Sequence, residues 1–380
     1  MRTKTDEKVD DVNDKVNRKL LAASGIAAVI FAVSALLLGI LELTVSGISG
    51  SIDFLDAGAR WSSSGDRFAV ITLYAEESAA LSGDQVKSWV RGIDAKLLES
   101  SVAPNENARS WAYTYAAEET MTVHGPKDKA TAEVIAAGGD FFVFHPQMFV
   151  YGSAFLNDES NPNGVVIDED LAWKIFGATD IVGMEMTVDG VPFTVTGVSR
   201  RASDRGIYDY TYGERPRMYM SYAGYVKLRG DGEHITMFET ALPNAVRGFA
   251  LNIFNGAVTA NEETMSVMEA SERFSLMNRY ANMKILKYSW IRENKIEYPY
   301  WENEARTADF RCAILMIFEV ILAAAAVSSM LVSFVLLRCS GWTVTDSVKN
   351  LYSKSSKNQR KKRRTPPENP QNIRRKRGNP

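Results

Sequence analysis

"VVIDEDLAWKIFGATDIVGMEMTVDGVPFTVTGV", residues 165–198, carries the densest pattern in the chain. Val165–Ile167 reads as a short buried strand. Asp168 is placed to cap the helix that follows, because its carboxylate can accept from the first free N–H groups; a cap alone contributes about 1 kcal/mol. Leu171, Ala172, Ile175 and Phe176 form the helix's apolar face, and Gly177 suits the left-handed conformation that ends a helix. Asp189-Gly190 is a two-residue hairpin turn. Met184, Met186 and Val188 alternate on one side of it, Phe193 and Val195 on the other. A strand running into a helix start is also the layout of a phosphate loop. Such a loop needs several glycines there, so that backbone N–H groups can approach the anion. Here Asp168, Glu169 and Asp170 occupy the junction, and three carboxylates repel a phosphate. GxxxxGK[ST] and GxGxxG are absent from the sequence.

Working outward, "RFAVITLY" (67–74) reads as a strand and "LSGDQVKSWVRGIDAKLLES" (81–100) as a helix. Ser82 and Gln85 form a capping-box pattern. Val86, Trp89, Val90, Ile93 and Leu97 recur at helical spacing. Trp111, Tyr113 and Tyr115 alternate as in a half-buried strand. "HITMFETAL" (234–242) reads as a strand and residues 272–289 as a helix. Pro299 suits a helix start just after it, with the helix running on into the apolar segment beyond.

The 380 residues carry a formal charge of −2 that hides an asymmetry. Residues 338–380 hold 13 Lys/Arg against 2 Asp/Glu, whereas residues 20–337 hold 25 against 39. Two apolar segments explain the division. Leu20–Leu41 is uncharged, and Cys312–Leu337 carries only Glu319. About 20 apolar residues cross the hydrocarbon core as a helix. The first segment exceeds the roughly 7–15 apolar residues of a signal peptide, and no convincing A-x-A site follows it; it reads as an uncleaved anchor. Lys15, Arg18 and Lys19 precede it, and "RKKRR" (360–364) follows the second segment. The positive-inside rule therefore puts both termini in the cytoplasm and residues 46–310 outside it. The expected division is a cytoplasmic tail (1–19), a first transmembrane helix (20–41), an extracytoplasmic domain (46–310), a second transmembrane helix (312–337) and a basic cytoplasmic tail (338–380). Cys312 and Cys339 sit at opposite ends of the second segment and cannot pair within one chain.

"GGDFFVFHPQMFVYGSAF" (138–155), followed by the opening stretch, resembles the extracytoplasmic core domain of MacB-type ABC transporter permeases. The resemblance rests on Asp140, Phe141, Phe142, Gly152, Phe155, Ala172, Phe176, Gly177, Val182, Gly183, Gly190, Phe193, Val195, Gly197 and Val198. It implies an α+β extracellular domain, with βαβ units and a mixed second lobe, between two transmembrane helices. It also implies a membrane component that relays the motion of a cytoplasmic ATPase or contacts substrate outside the membrane. Family permeases usually have four spans and this sequence shows two. An accessory role is therefore expected, with an ABC ATPase, a four-span permease or a second copy as partner. Residues 342–354 lie where the family places an ATPase-contacting helix, and Val344, Val348 and Leu351 recur there at helical spacing. The alternative is a membrane-anchored extracellular binding or sensor protein without an ATPase. A weaker third reading is an envelope hydrolase, which paired carboxylates with shifted pKa values in a cleft would revive.

Other signals have plain readings. His124, His145 and His234 show no metal-ligand spacing, GxSxG is absent, and no cofactor is expected. The many carboxylates read as solvated surface. Arg229-Gly230-Asp231 reads as a turn. The basic tail suits anionic lipid, not nucleic acid. Glu319 either reaches the membrane interface or contacts a partner helix. Ser24, Ala28 and Ala32 in the first span, and Ala325 and Ser329 in the second, are spaced for close helix packing.

Overall fold

The computed structural model describes residues 4–62, 65–102, 109–155, 162–201, 215–230, 234–282, 292–293 and 295–340. Residues 283–289 of the helix expected over 272–289, the expected 342–354 helix and the basic runs of the tail lie outside the described residues. The chain divides into two units, one of residues 1–41 with 318–380 and one of residues 42–317.

A long helix, α1 (Lys4–Ser49), enters the larger unit at Glu42. After α2 (Ala57–Trp61) come β1 (Phe68–Ala75), α3 (Gly83–Glu99), β2 (Ala112–His124) and β3 (Lys129–Gly139). Next are α4 (Phe141–Phe144), β4 (Met148–Gly152), β5 (Gly164–Asp168), α5 (Glu169–Ile175), β6 (Glu185–Val188) and β7 (Val191–Arg200). Then follow β8 (Arg217–Ser221), α6 (Tyr222–Arg229), β9 (Met237–Pro243), α7 (Phe249–Ala257), β10 (Met265–Glu269) and α8 (Leu276–Asn282). A small hairpin of β11 (Arg292–Glu293) and β12 (Ile296–Glu297) precedes the last helix, α9 (Tyr300–Cys339).

Ten strands form one mixed sheet in the order β10-β1-β9-β2-β3-β8-β5-β7-β4, with β6 bridging β2 and β7. The stretch at 165–198 supplies a βαβ unit: β5 and β7 pair in parallel, and α5 and β6 lie between them in the chain. A second unit is split, because β9 is antiparallel to both β1 and β2 and lies between them. The expected α+β domain with βαβ units is observed as a mixed α/β domain in which both parts share a continuous sheet.

Each face of the sheet has its own core. On one face Trp89, Ile93 and Leu97 of α3 and Phe254 of α7 pack with Trp111 and Phe238. On the other, Phe141 and Phe144 of α4 pack with Trp301, Ala305 and Ala308 of α9. β1 is accordingly buried along almost its whole length, as befits a strand covered on both sides. β2 departs from the half-buried reading. Its aromatic side meets the first core, while Ala112 and Ala116 are buried in the second. Small residues on that side let neighbouring groups approach the strand closely.

Local signals act as the sequence indicates. Ser82 Oγ accepts from the Gln85 N–H at 3.3 Å. Gly177, at φ +81°, closes α5 by donating to Ala172 and Trp173 carbonyls. Asp189 and Gly190 both have positive φ, the conformation of the tight hairpin turn. Phe176 is only partly buried, because it is the last residue before that closure. Its truncation therefore costs less than the ~3–5 kcal/mol of a fully buried phenylalanine.

Asp168 does more than cap. It is 2% exposed. One carboxylate oxygen accepts from Leu171 N at 2.7 Å and the other from Arg217 N at 2.7 Å. Burial pushes its pKa up to about 6, against the pull of both N–H groups and of Arg201. Asp168→Ala strands two buried donors, so the expected loss is about 2–4 kcal/mol, not the ~1 kcal/mol of a cap. Denaturant midpoints of the full chain check this; a loss of only ~1 kcal/mol would reduce Asp168 to a cap. The same geometry closes the phosphate question. The helix start is filled by Asp168 itself, and Arg200 and Arg201 pair with Glu169 and Asp170 at 3.3 and 3.1 Å.

Candidate functional site

The functional geometry of the larger unit gathers at the start of α9. Pro299 precedes the first turn, as expected, and one unbroken helix runs from Tyr300 to Cys339. Its first three turns are held by charges that the sequence had suggested were solvated. Arg273, 5% exposed, donates to both oxygens of Glu302 at 2.7 and 2.9 Å and to Asp309 at 2.7 Å. Arg306 donates to Glu302 at 2.8 Å and lies over the Tyr298 ring at 3.7 Å. Tyr74 of β1 donates to Glu302 at 3.3 Å. Burial pushes the Asp309 carboxyl up while Arg273 opposes it. Burial pulls the Arg273 guanidinium down, but Glu302 and Asp309 outweigh this and hold it charged. The helix is thus fixed by buried ionic bonds to the turn after β10 and by Tyr74 to the sheet.

A second set of contacts grips the same turns. Trp301 packs against His145 with ring centroids 4.1 Å apart and the rings tilted by 35°, and it meets Phe141 edge-on at 5.8 Å. His145 Nε2 lies 2.6 Å from Glu239 Oε2, both side chains buried. Tyr300 lies under Arg217 at 3.9 Å and shares hydrogen bonds with Tyr219 at 3.1 Å and Gln147 at 3.4 Å.

Beside this anchor an acidic cleft of about 520 Å³ opens, with Glu76, Glu118, Glu133, Arg217, Glu297 and Asn303 in its walls. Burial pushes the Glu118 carboxyl up to about 7, Arg217 pulls it down, and Glu133 and Glu297 add to the rise. Glu133 is committed to Arg217 at 2.8 Å. Among the cleft carboxyls, Glu118 is the one pushed up and Glu133 the one fixed by Arg217. Among the described residues, no group of three or more His, Cys, Asp or Glu side chains could hold a metal ion. His124 is exposed, and His234 bonds Tyr225 at 3.1 Å. Arg229 pairs with Glu119 and Asp189 at 2.7 and 2.9 Å, which ties α6 to the β6–β7 hairpin.

Glu118 predicts a pH dependence. Its folded pKa of about 7 lies above the ~4.3 of an unfolded glutamate. Between those values the folded state holds the proton and the unfolded state does not. Stability therefore falls as pH rises from about 4 to about 7. Cleft water screens the charge, so the expected loss is on the order of 1–2 kcal/mol. Glu118→Gln should remove it, stabilising the chain at pH 8 but not at pH 4; melting curves at the two values decide.

In the smaller unit two helical segments are apolar enough to cross a membrane. Ser333 Oγ donates to the Ser24 carbonyl at 3.1 Å. Ser24 and Ser329 are buried, Ala325 is partly buried and Glu319 is 5% exposed, on the seam side of α9 with Ala326 and Ser329. Ala28 and Ala32 face outward instead. The seam of α1 runs through Ser24, Ala27 and Ser34. Steps of four drift by roughly 40° each on a helix of 3.6 residues per turn. Alternate steps of three and four keep one line, and that alternation was the signal to follow.

Residues 20–262 match the model of a family described as MacB-like periplasmic core domain. Among curated proteins, none matches the chain. One similar solved structure is the periplasmic region of MacB from Actinobacillus actinomycetemcomitans. Identity is 14% and TM-score 0.35, with 58% of this chain and 94% of that one covered. Another is the extracellular domain of the ABC-type transporter YknZ from Gram-positive bacteria, at 15% identity and TM-score 0.36, covering 52% and 99%.

Proposed function

Because this chain belongs to the MacB-like periplasmic core domain family, we propose that it is a two-span, permease-like component of an ABC transport system. Its domain lies outside the membrane and both termini are cytoplasmic. It performs no chemistry. It relays the motion of an ATPase to the outer domain or contacts substrate there. The observation that carries this reading is α9, which holds both the buried Arg273–Glu302–Asp309 network and the second apolar segment in one helix. A relay needs a stiff element fixed at its working end. An anchored binding protein is the second reading, favoured by the acidic cleft around Glu118.

One experiment separates them. Intact cells producing the full chain are treated with external protease, then solubilised in mild detergent and captured through an epitope on the C-terminal tail. The proposal expects an intact tail, cleavage within the outer domain, and co-capture of an ABC ATPase, alone or with a four-span permease. Loss of the tail overturns the orientation. Recovery of a protein without an ATPase favours the anchored binder.

A further inference from the structure

We propose that α8 lies in the lipid–water interface on the outer side of the membrane, with Leu276, Met277 and Tyr280 as its lipid contacts. Two observations meet in this short helix. Its inner face is pinned: Arg279, 2% exposed, donates to Glu42 Oε1 at 2.7 Å. Glu42 is the first residue beyond the uncharged segment 20–41. Twenty-two helical residues extend about 33 Å, enough to fill the ~30 Å hydrocarbon core. Glu42 is thereby set at headgroup depth, and Arg279 brings α8 to the same level.

The outer face is apolar and open. Leu276, Met277 and Tyr280 are 62%, 75% and 64% exposed. Elsewhere in the larger unit, large apolar side chains exposed by more than half, such as Leu98, Met148, Trp173 and Val246, stand apart in the sequence. Only α8, among the described residues of the larger unit, gathers three within five positions. A contiguous open apolar face marks a contact surface, and its depth selects the occupant. A tyrosine with an apolar body and a polar tip suits the headgroup layer. Arg247, exposed and paired with Glu272, lines the same hollow as Leu276, Met277 and Glu42, so polar and charged groups border the apolar face as they do in the headgroup layer. The contact rests on residues 20–41 spanning the membrane, not on the ABC role.

The test uses the full chain in nanodiscs of phosphatidylcholine and phosphatidylglycerol. Cys339→Ser removes the exposed thiol, and Cys312, 1% exposed, is kept. Nitroxide labels are placed singly at Met277→Cys, Tyr280→Cys, Met148→Cys and Leu36→Cys. Collision rates are measured with oxygen, which concentrates in lipid, and with a water-soluble nickel chelate. The expected oxygen-to-nickel ratio exceeds that of Met148 at positions 277 and 280 and is largest at 36. A ratio at 277 and 280 equal to that at 148 means water and overturns the proposal. Immobile labels that neither reagent reaches mean a protein cover, and overturn it too. A nickel-dominated label at 36 removes the span, and with it the premise.

Discussion

Arg273→Met is expected to lower the stability of the chain by about 3–5 kcal/mol, a fall in melting temperature on the order of 10 °C. The guanidinium faces two carboxylates, Glu302 at 1% exposure and Asp309 at 6%. Methionine fills most of the space but leaves two buried anions. Arg306 still donates to Glu302 and its charge still favours the Asp309 carboxylate, but the direct guanidinium bonds of Arg273 to both are gone. Burial without a partner is the costly state of a charge, while removal of a whole buried pair is often nearly neutral. A triple variant, Arg273→Met with Glu302→Gln and Asp309→Asn, should therefore recover part of the loss. Thermal unfolding of the full chain in detergent gives both values. An unchanged midpoint for Arg273→Met would mean that the network does not hold α9.

What the sequence makes legible follows the range over which a signal acts. Ser82 with Gln85, Asp168 with Leu171, and the Asp189-Gly190 turn are decided within a few residues, and the structure has them as read. The glycine and aromatic pattern over 138–198 points to a family and so to a sheet order that no local rule provides. The anchor at α9 has no such signal. Arg273 stands 29 residues from Glu302 and 36 from Asp309, so nothing but the fold brings them together. Carboxylates are mostly solvated, which is why Glu239, Glu302 and Asp309 read as surface before the sheet acquires its second covered face. Asp168 was half legible: its cap is local, but its bond to Arg217 N crosses 49 residues. The exposed face of α8 was missed for a different reason. Over 272–289 the periodicity marks a helix, but it does not say which side is buried.

The second large effect is expected at His145. Its imidazole lies 2.6 Å from Glu239, which is fully buried and has Thr72 Oγ1 as a weaker partner at 3.3 Å. It also packs against the Trp301, Phe141 and Phe54 rings. His145→Ala opens a cavity beneath the first turn of α9 and leaves the Glu239 carboxyl without its best partner. Cavity and stranded polar group together set the expected cost at about 3–5 kcal/mol. Glu239→Gln should cost less, because an amide still bonds the ring in either tautomer. A double-mutant cycle with His145→Ala and Glu239→Ala separates packing from polarity. If the pair acts as a unit, removing Glu239 after His145 costs little more, and the coupling exceeds about 1.5 kcal/mol. A coupling within ~0.5 kcal/mol would leave His145 as an aromatic filler under Trp301. In that case the polar hold on this side of α9 falls to Tyr300 and its hydrogen bonds to Tyr219 and Gln147.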